Sequence, residues 1–152
     1  MVKVYERLAD LQGLVGQEIA VSDWIPVTQT RIDQFAEATG DHQWIHVDTE
    51  RAARGPYGAT IAHGFLTLSM LPTFLESSIE ISDVRMSVNY GLNRVRFTAP
   101  VPAGSELRAR IRLLAYDPLP DGGVQLTTEV SIQRKGFDKP VCIAETIARR
   151  YA

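Results

Sequence analysis

The sequence predicts an α+β protein in which a curved antiparallel sheet wraps around a central buried helix. Three observations predict it. The first is strand alternation in the second half of the chain. Leu107, Ala109, Ile111, Leu113 and Ala115 interleave with Glu106, Arg108, Arg110 and Arg112; Val124, Leu126, Thr128, Val130 and Ile132 interleave with Gln125, Thr127, Glu129, Ser131 and Gln133. A period of two with one apolar and one wet face marks half-buried antiparallel strands. The second is the stretch from His63 to Ile79, apolar on most faces through Phe65, Leu66, Leu68, Met70, Leu71, Phe74 and Leu75. A helix that is apolar all round is a buried one. The third is order: the apolar helix precedes a run of strands, and one sheet curling around one helix buries both.

Each element has a local cause. Leu8 to Gly16 is weakly periodic and fits a short helix ending near a glycine. Val21 to Val27 reads as a strand, with Asp23 breaking its alternation. Thr30 to Thr39 reads as a helix capped by Thr30, with Asp33 at its third position and Gly40 as a left-handed stop. Asp48 or Thr49 caps a short helix from Glu50 to Arg54, and Gly55-Pro56-Tyr57-Gly58 is a turn by composition. Pro72 removes a backbone donor inside the apolar helix, so a kink or break is expected between Leu68 and Pro72. Val84 to Phe97 alternates until Gly91 interrupts it. Turns at Pro118–Gly123 and Lys135–Asp138 separate the later strands, and Val141 to Tyr151 is the last.

The 152 residues suit a single domain spanning 1–152. Of these, 22% are charged, the formal net charge is -2, and there is no basic patch or tail. Neither nucleic acid nor an anionic membrane is therefore implied as a partner. The lone Cys142 excludes an intrachain disulfide and a multi-cysteine metal site; in a strand-like run it reads as a buried, inert thiol. The opening Met1-Val2-Lys3-Val4-Tyr5-Glu6-Arg7 does not read as a signal peptide and no run is long enough to span a bilayer, so a cytoplasmic protein is expected.

Chemistry concentrates between Gly40 and Met70. All three histidines, His42, His46 and His63, lie there, and Asp41 stands five residues before His46. Asp41 begins where a helix ends, and His63-Gly64 begins the apolar helix. His46 titrates near neutrality and Asp41 is an acceptor, so the pair can exchange protons with a water. Backbone N–H groups at a helix start can stabilise a developing oxyanion, and Gly64 lets a substrate oxygen approach. Plainer roles stand beside these. His42 reads as a surface residue, and the His63 imidazole as packing or hydrogen bonding at the helix start. Asp48 reads as a cap, Trp44 and Tyr57 as core or rim aromatics, and Arg108, Arg110 and Arg112 as a solvated strand face. The histidine spacings fit no usual metal-ligand set.

Gly40-Asp41-His42-Gln43-Trp44-Ile45-His46-Val47-Asp48, with Ile61-Ala62-His63-Gly64 and Val88-Asn89-Tyr90-Gly91-Leu92-Asn93-Arg94-Val95-Arg96-Phe97, resembles the MaoC-like family of (R)-specific enoyl-CoA hydratases, in the branch that includes nodulation protein N. The likeness runs from about Val15 to Tyr151. It implies the hot-dog fold, a homodimer whose sheets join, and an acyl-CoA thioester bound at the dimer interface. It implies that Asp41 and His46 are catalytic, holding and activating a water. It also implies oxyanion and substrate contacts from Ile61, Ala62, His63 and Gly64 and from Val88, Asn89, Tyr90 and Gly91. Gln43-Trp44 stands where many relatives carry Asn-Pro, with the spacing kept. Such a site needs neither a metal nor an organic cofactor. The activity implied is reversible addition of water to trans-2-enoyl-CoA, giving (R)-3-hydroxyacyl-CoA. Two alternatives stay open: a hot-dog acyl-CoA thioesterase, whose acid generally sits on the central helix, and a non-catalytic acyl-CoA binding subunit. Phe65 to Leu75 carries no acid, which weighs against the thioesterase.

Overall fold

The computed structural model describes residues 1–152. In chain order the elements are β1 (Lys3–Tyr5), a 3-10 helix (Leu8–Leu14), β2 (Glu18–Val21), β3 (Ile25–Val27), α1 (Gln29–Thr39), α2 (Trp44–Val47), α3 (Thr49–Ala53), α4 (Gly64–Ser69), α5 (Leu71–Glu76), β4 (Ile79–Ile81), β5 (Met86–Arg96), β6 (Ser105–Pro118), β7 (Val124–Arg134) and β8 (Pro140–Tyr151). The main sheet runs β2-β6-β7-β8-β5, with β3 also on β6, and its pairings are antiparallel. A separate parallel pair joins β1 to β4.

The inward face of the sheet is the alternation read from the sequence. Leu107, Ala109, Ile111 and Leu113 of β6, and Val124, Leu126, Val130 and Ile132 of β7, are buried in one core with Leu66, Met70 and Phe74 of the central helices. Phe74 is fully buried, worth roughly 1.5–3 kcal/mol of apolar transfer. Register shifts between Asn89 and Gly91, between Leu92 and Arg94, and between Leu113 and Ala115 place bulges in the long strands. Bulges bend a strand and increase its twist, which lets the sheet wrap the helix in the hot-dog manner.

Several expectations are refined. The strand expected from Val21 to Val27 is two strands. Ser22 is buried between them; its N–H donates to the Ala109 carbonyl at 2.9 Å, and its Oγ takes the Ala109 N–H at 2.8 Å in place of a backbone acceptor. The cap of α1 is Thr28, not Thr30: its hydroxyl accepts from the Arg31 N–H at 3.1 Å. Gly40 ends α1 at φ 80°, its N–H donating to the Ala36 carbonyl at 2.8 Å. Asp48 caps α3 by accepting from the Arg51 N–H. The central helix breaks at Met70, and Pro72 sits in the first turn of α5, where its missing donor costs nothing. Nor is that helix buried all round: Phe65 is 68% exposed, with Ser69 and Thr73 exposed on the same segment. Cys142 is fully buried, and desolvation raises its thiol pKa to about 11, as expected of an inert cysteine. No helix is long and apolar enough to cross a membrane.

Candidate active site

The turn after α1 places Asp41 and the short helix α2 places His46. Gly40, in the left-handed conformation, turns the chain out of α1 so that Asp41 begins an exposed loop. The Asp41 carboxylate accepts from the Gln43 N–H at 3.4 Å. Three residues after Asp41 α2 begins, and it carries His46 to a position only 6% exposed. Gln29 of α1 donates from Nε2 to the His46 carbonyl at 2.8 Å, and the Thr60 hydroxyl donates to Gln29 Oε1. Ile61 completes the clamp: its N–H donates to the Ile45 carbonyl at 3.0 Å and its own carbonyl lies 2.7 Å from His46 Nδ1.

That last contact fixes the chemistry of the ring. A carbonyl only accepts, so Nδ1 carries the proton and Nε2 holds the free lone pair. Burial lowers the His46 pKa below the ordinary histidine value. The bond to the Ile61 carbonyl and the charge of Asp41 oppose that shift; the neighbouring His63 reinforces it. His46 is thus a neutral base at physiological pH. A carboxylate oxygen of Asp41 and one ring nitrogen each of His46 and His63 all lie within 4.8 Å of one another. The carboxylate and the two imidazoles therefore form one cluster.

His63, expected as an oxyanion contact with a packing imidazole, belongs to this cluster through that imidazole. It caps α4 and is buried, with its ring stacked on His46 at a centroid separation of 3.8 Å and tilted against Phe35 at 4.9 Å. Its Nε2–H donates to the Asp41 carbonyl at 3.0 Å, and its Nδ1 is buried without a partner. The imidazole ties the acid's loop to the start of the central helix. The three groups could also hold a metal ion, since each ring has one nitrogen on a carbonyl and the other free. His42 is half exposed, 3.6 Å from Glu37, and outside the cluster.

A family profile described as a MaoC like domain matches residues 10–134. The chain belongs to the MaoC-like family. It is 48% identical over 151 residues to 3-hydroxyacyl-thioester dehydratase Z of Mycobacterium tuberculosis, covering 99% of this chain and 100% of that one. It is 46% identical to nodulation protein N of Rhizobium leguminosarum bv. viciae, covering 92% of this chain and 88% of that protein. Among solved structures, an R-hydratase of Pseudomonas aeruginosa in its unliganded form superposes with a TM-score of 0.66 at 25% identity, covering 88% of this chain and 79% of that one.

In this MaoC-like chain the other expected site residues divide into two groups. Ile61, Ala62 and Gly64 line a cleft of about 350 Å³ with Tyr57, Thr67 and Phe97. Gly64 opens α4 and His63 precedes it, so the Gly64 and Phe65 N–H groups have no helical acceptor, while the Leu66 N–H donates to the His63 carbonyl at 3.0 Å. The Thr67 hydroxyl is buried beside that cleft without a partner. A Cβ on Gly64 would lie 2.8 Å from the Phe97 ring. A methyl there would have to displace that ring, a contact additional to the expected approach of a substrate oxygen to Gly64. On β5, Asn89 and Gly91 line a second cleft of about 380 Å³ with Leu68, Leu71 and Thr146. Val88 and Tyr90 line neither space; both are exposed, and Tyr90 lies under the Arg149 guanidinium at 3.8 Å. Trp44 is half-buried beneath the Arg51 guanidinium at 4.2 Å, a rim contact. Arg110 and Arg112 pair with Glu18 and Glu129 on the outer sheet face, as expected of a solvated strand.

Sequence reasoning missed Gln29, which holds the backbone of the base, and Arg150, which lines the interior behind α5. Gln29 carries no sequence signal, since its partners lie 17 and 31 residues away. Arg150 did carry one: it continues the inward row Cys142, Ala144, Thr146, Ala148 of β8.

Proposed function

We propose that this chain, one MaoC-like domain over 1–152, is an (R)-specific enoyl-CoA hydratase that adds water reversibly to trans-2-enoyl-CoA. The observation that carries the proposal is the fixed tautomer of His46: Nδ1–H held by the Ile61 carbonyl, Nε2 free, and the Asp41 carboxylate within 4.8 Å of the ring. A water between them gives its proton to His46 Nε2 while hydrogen-bonded to Asp41, and its oxygen attacks C3. Electrons move onto the thioester oxygen, where the Gly64 N–H is the donor offered. The proton then returns to C2 as the enolate collapses. In reverse the same groups dehydrate a 3-hydroxyacyl thioester, the reaction named in the Mycobacterium tuberculosis relative. The R-hydratase likeness supports the stereochemical assignment.

The working form we propose is a homodimer joined through β5. That strand forms an edge of the sheet, and Met86, Val88, Tyr90 and Leu92 are exposed along its 11 residues. A long apolar edge is an aggregation site unless another chain covers it. Pairing β5 with its symmetry mate would continue the sheet between subunits and cover those side chains.

The test is crotonyl-CoA with two readouts, enoyl absorbance and free thiol. Loss of enoyl absorbance without thiol release is the expected result. Thiol release would establish the thioesterase instead, and no change in either signal would leave a binding subunit.

A further inference from the structure

Behind α5 lies a narrow enclosed cavity of about 60 Å³, lined chiefly by apolar side chains that include Leu75, Ile111 and Leu126. It shares Leu71, Pro72, Asn89 and Thr146 with the open cleft of about 380 Å³, so the two adjoin. One stripe of the central helices passes the three spaces in turn. Gly64 and Thr67 face the first cleft, Leu68 and Leu71 the second, and Leu71 and Leu75 the cavity. From Gly64 to Leu71 and Leu75, with the break at Met70 between them, the rise is at most roughly 10–16 Å at 1.5 Å per helical residue. An extended chain covers that distance in about 8–13 bonds, at about 1.2 Å per bond.

At the far end stands Arg150, the one charged residue lining the cavity. The sheet register sets it between Ser87 of β5 and Val124 of β7. Its Nε is buried without a hydrogen-bond partner, and no carboxylate forms a salt bridge with it. Burial alone pulls its pKa down, with no acid to oppose it. Arg150 is partly exposed, with its Nε turned inward and no counter-charge beside it, and its planar fork fits a carboxylate.

We propose that Arg150 binds a carboxylate at the far end of the acyl chain, so that this enzyme takes enoyl thioesters of dicarboxylic chains in preference to methyl-terminated ones. The proposal rests on the hydratase assignment above and adds a substrate class to it. The dyad acts at C2 and C3, while the distal carboxylate supplies the anion that the protein withholds from Arg150. The inward row Ala144, Thr146, Ala148 is small, which leaves room for a chain to reach it.

The test compares kcat/KM for trans-2-decenoyl-CoA with that for its ω-carboxy counterpart, and includes crotonyl-CoA as a short control. Wild type should prefer the ω-carboxy chain by at least about tenfold, the scale of one hydrogen bond to a charged group. In Arg150→Met the ratio should collapse to about one, and Arg150→Lys should fall between, keeping the charge without the fork. Crotonyl-CoA turnover with no ω-carboxy preference in wild type would overturn the Arg150 proposal and leave the hydratase standing, whether or not either variant folds. Failure of wild type to hydrate any of the three would overturn both.

Discussion

His46 separates catalysis from stability, because its two nitrogens do different jobs. His46→Ala removes both: the Nε2 base, and the Nδ1–H that satisfies the buried Ile61 carbonyl. An unsatisfied buried carbonyl costs about 1–3 kcal/mol, and a chain of this size loses about 2–4 °C per kcal/mol, so Tm should fall by roughly 2–12 °C. His46→Asn keeps a donor near the Nδ1 position and no base. It should lose at least about a hundredfold in kcat, the scale of a positioned acid or base, with clearly less than the alanine variant's drop in Tm. Crotonyl-CoA turnover and calorimetry read the two effects separately. The wild-type pH profile is a third readout. Burial depresses the His46 pKa, so kcat/KM should hold at neutral pH and fall only below the ordinary value of about 6.5. Stability has the same sign: between the two pKa values the unfolded chain binds more protons, so the His46 contribution is present above the unfolded pKa and is lost as pH falls through the lower, folded one. The asparagine variant should lose that component. The base assignment is refuted if His46→Asn, folded, keeps more than roughly a tenth of wild-type kcat. Equal Tm losses for both variants would refute the structural role of the Ile61 bond.

Asp41→Asn should also lower kcat by at least about a hundredfold; Asp41 is exposed, so melting should barely change, and a near-normal kcat would remove the acid from the mechanism. Gly64→Ala drives a methyl against Phe97, which is half exposed and can yield; kcat/KM for crotonyl-CoA should fall by at least about tenfold. Adding Phe97→Ala relieves that contact. Recovery of activity in the double variant would show that the loss came from the displaced ring and not from the Gly64 N–H. Val88→Lys with Leu92→Lys places like charges on an edge that meets its own symmetry mate, so sedimentation should shift from about twice the 16.9 kDa chain mass to one chain; a dimer that persists would place the interface elsewhere.

The sequence by itself determined the periodic and local features. β6 and β7 were legible because a period of two, with arginines and glutamates on one face, survives in a single row of letters. Gly40 as a stop, Asp48 as a cap and the break before Pro72 were legible because each depends on a few adjacent residues. The Asp41–His46 pair was legible because five residues of spacing cross one short turn. Tertiary structure alone decided the rest. It brought His63 onto the His46 ring from 17 positions away and turned the Ile61 carbonyl toward Nδ1, which fixes where the base's lone pair lies. It set Phe97 against Gly64 across 33 residues, so the ring that a methyl there would have to displace is a packing fact that local sequence does not contain. It also turned the Arg150 Nε inward. The β8 alternation assigns that position to the inner face, but a charge there reads as an edge residue until the cavity behind α5 shows what it faces. Local signals record what a residue does to its own backbone; the environment of a ring nitrogen or a guanidinium is made by segments that only folding brings together.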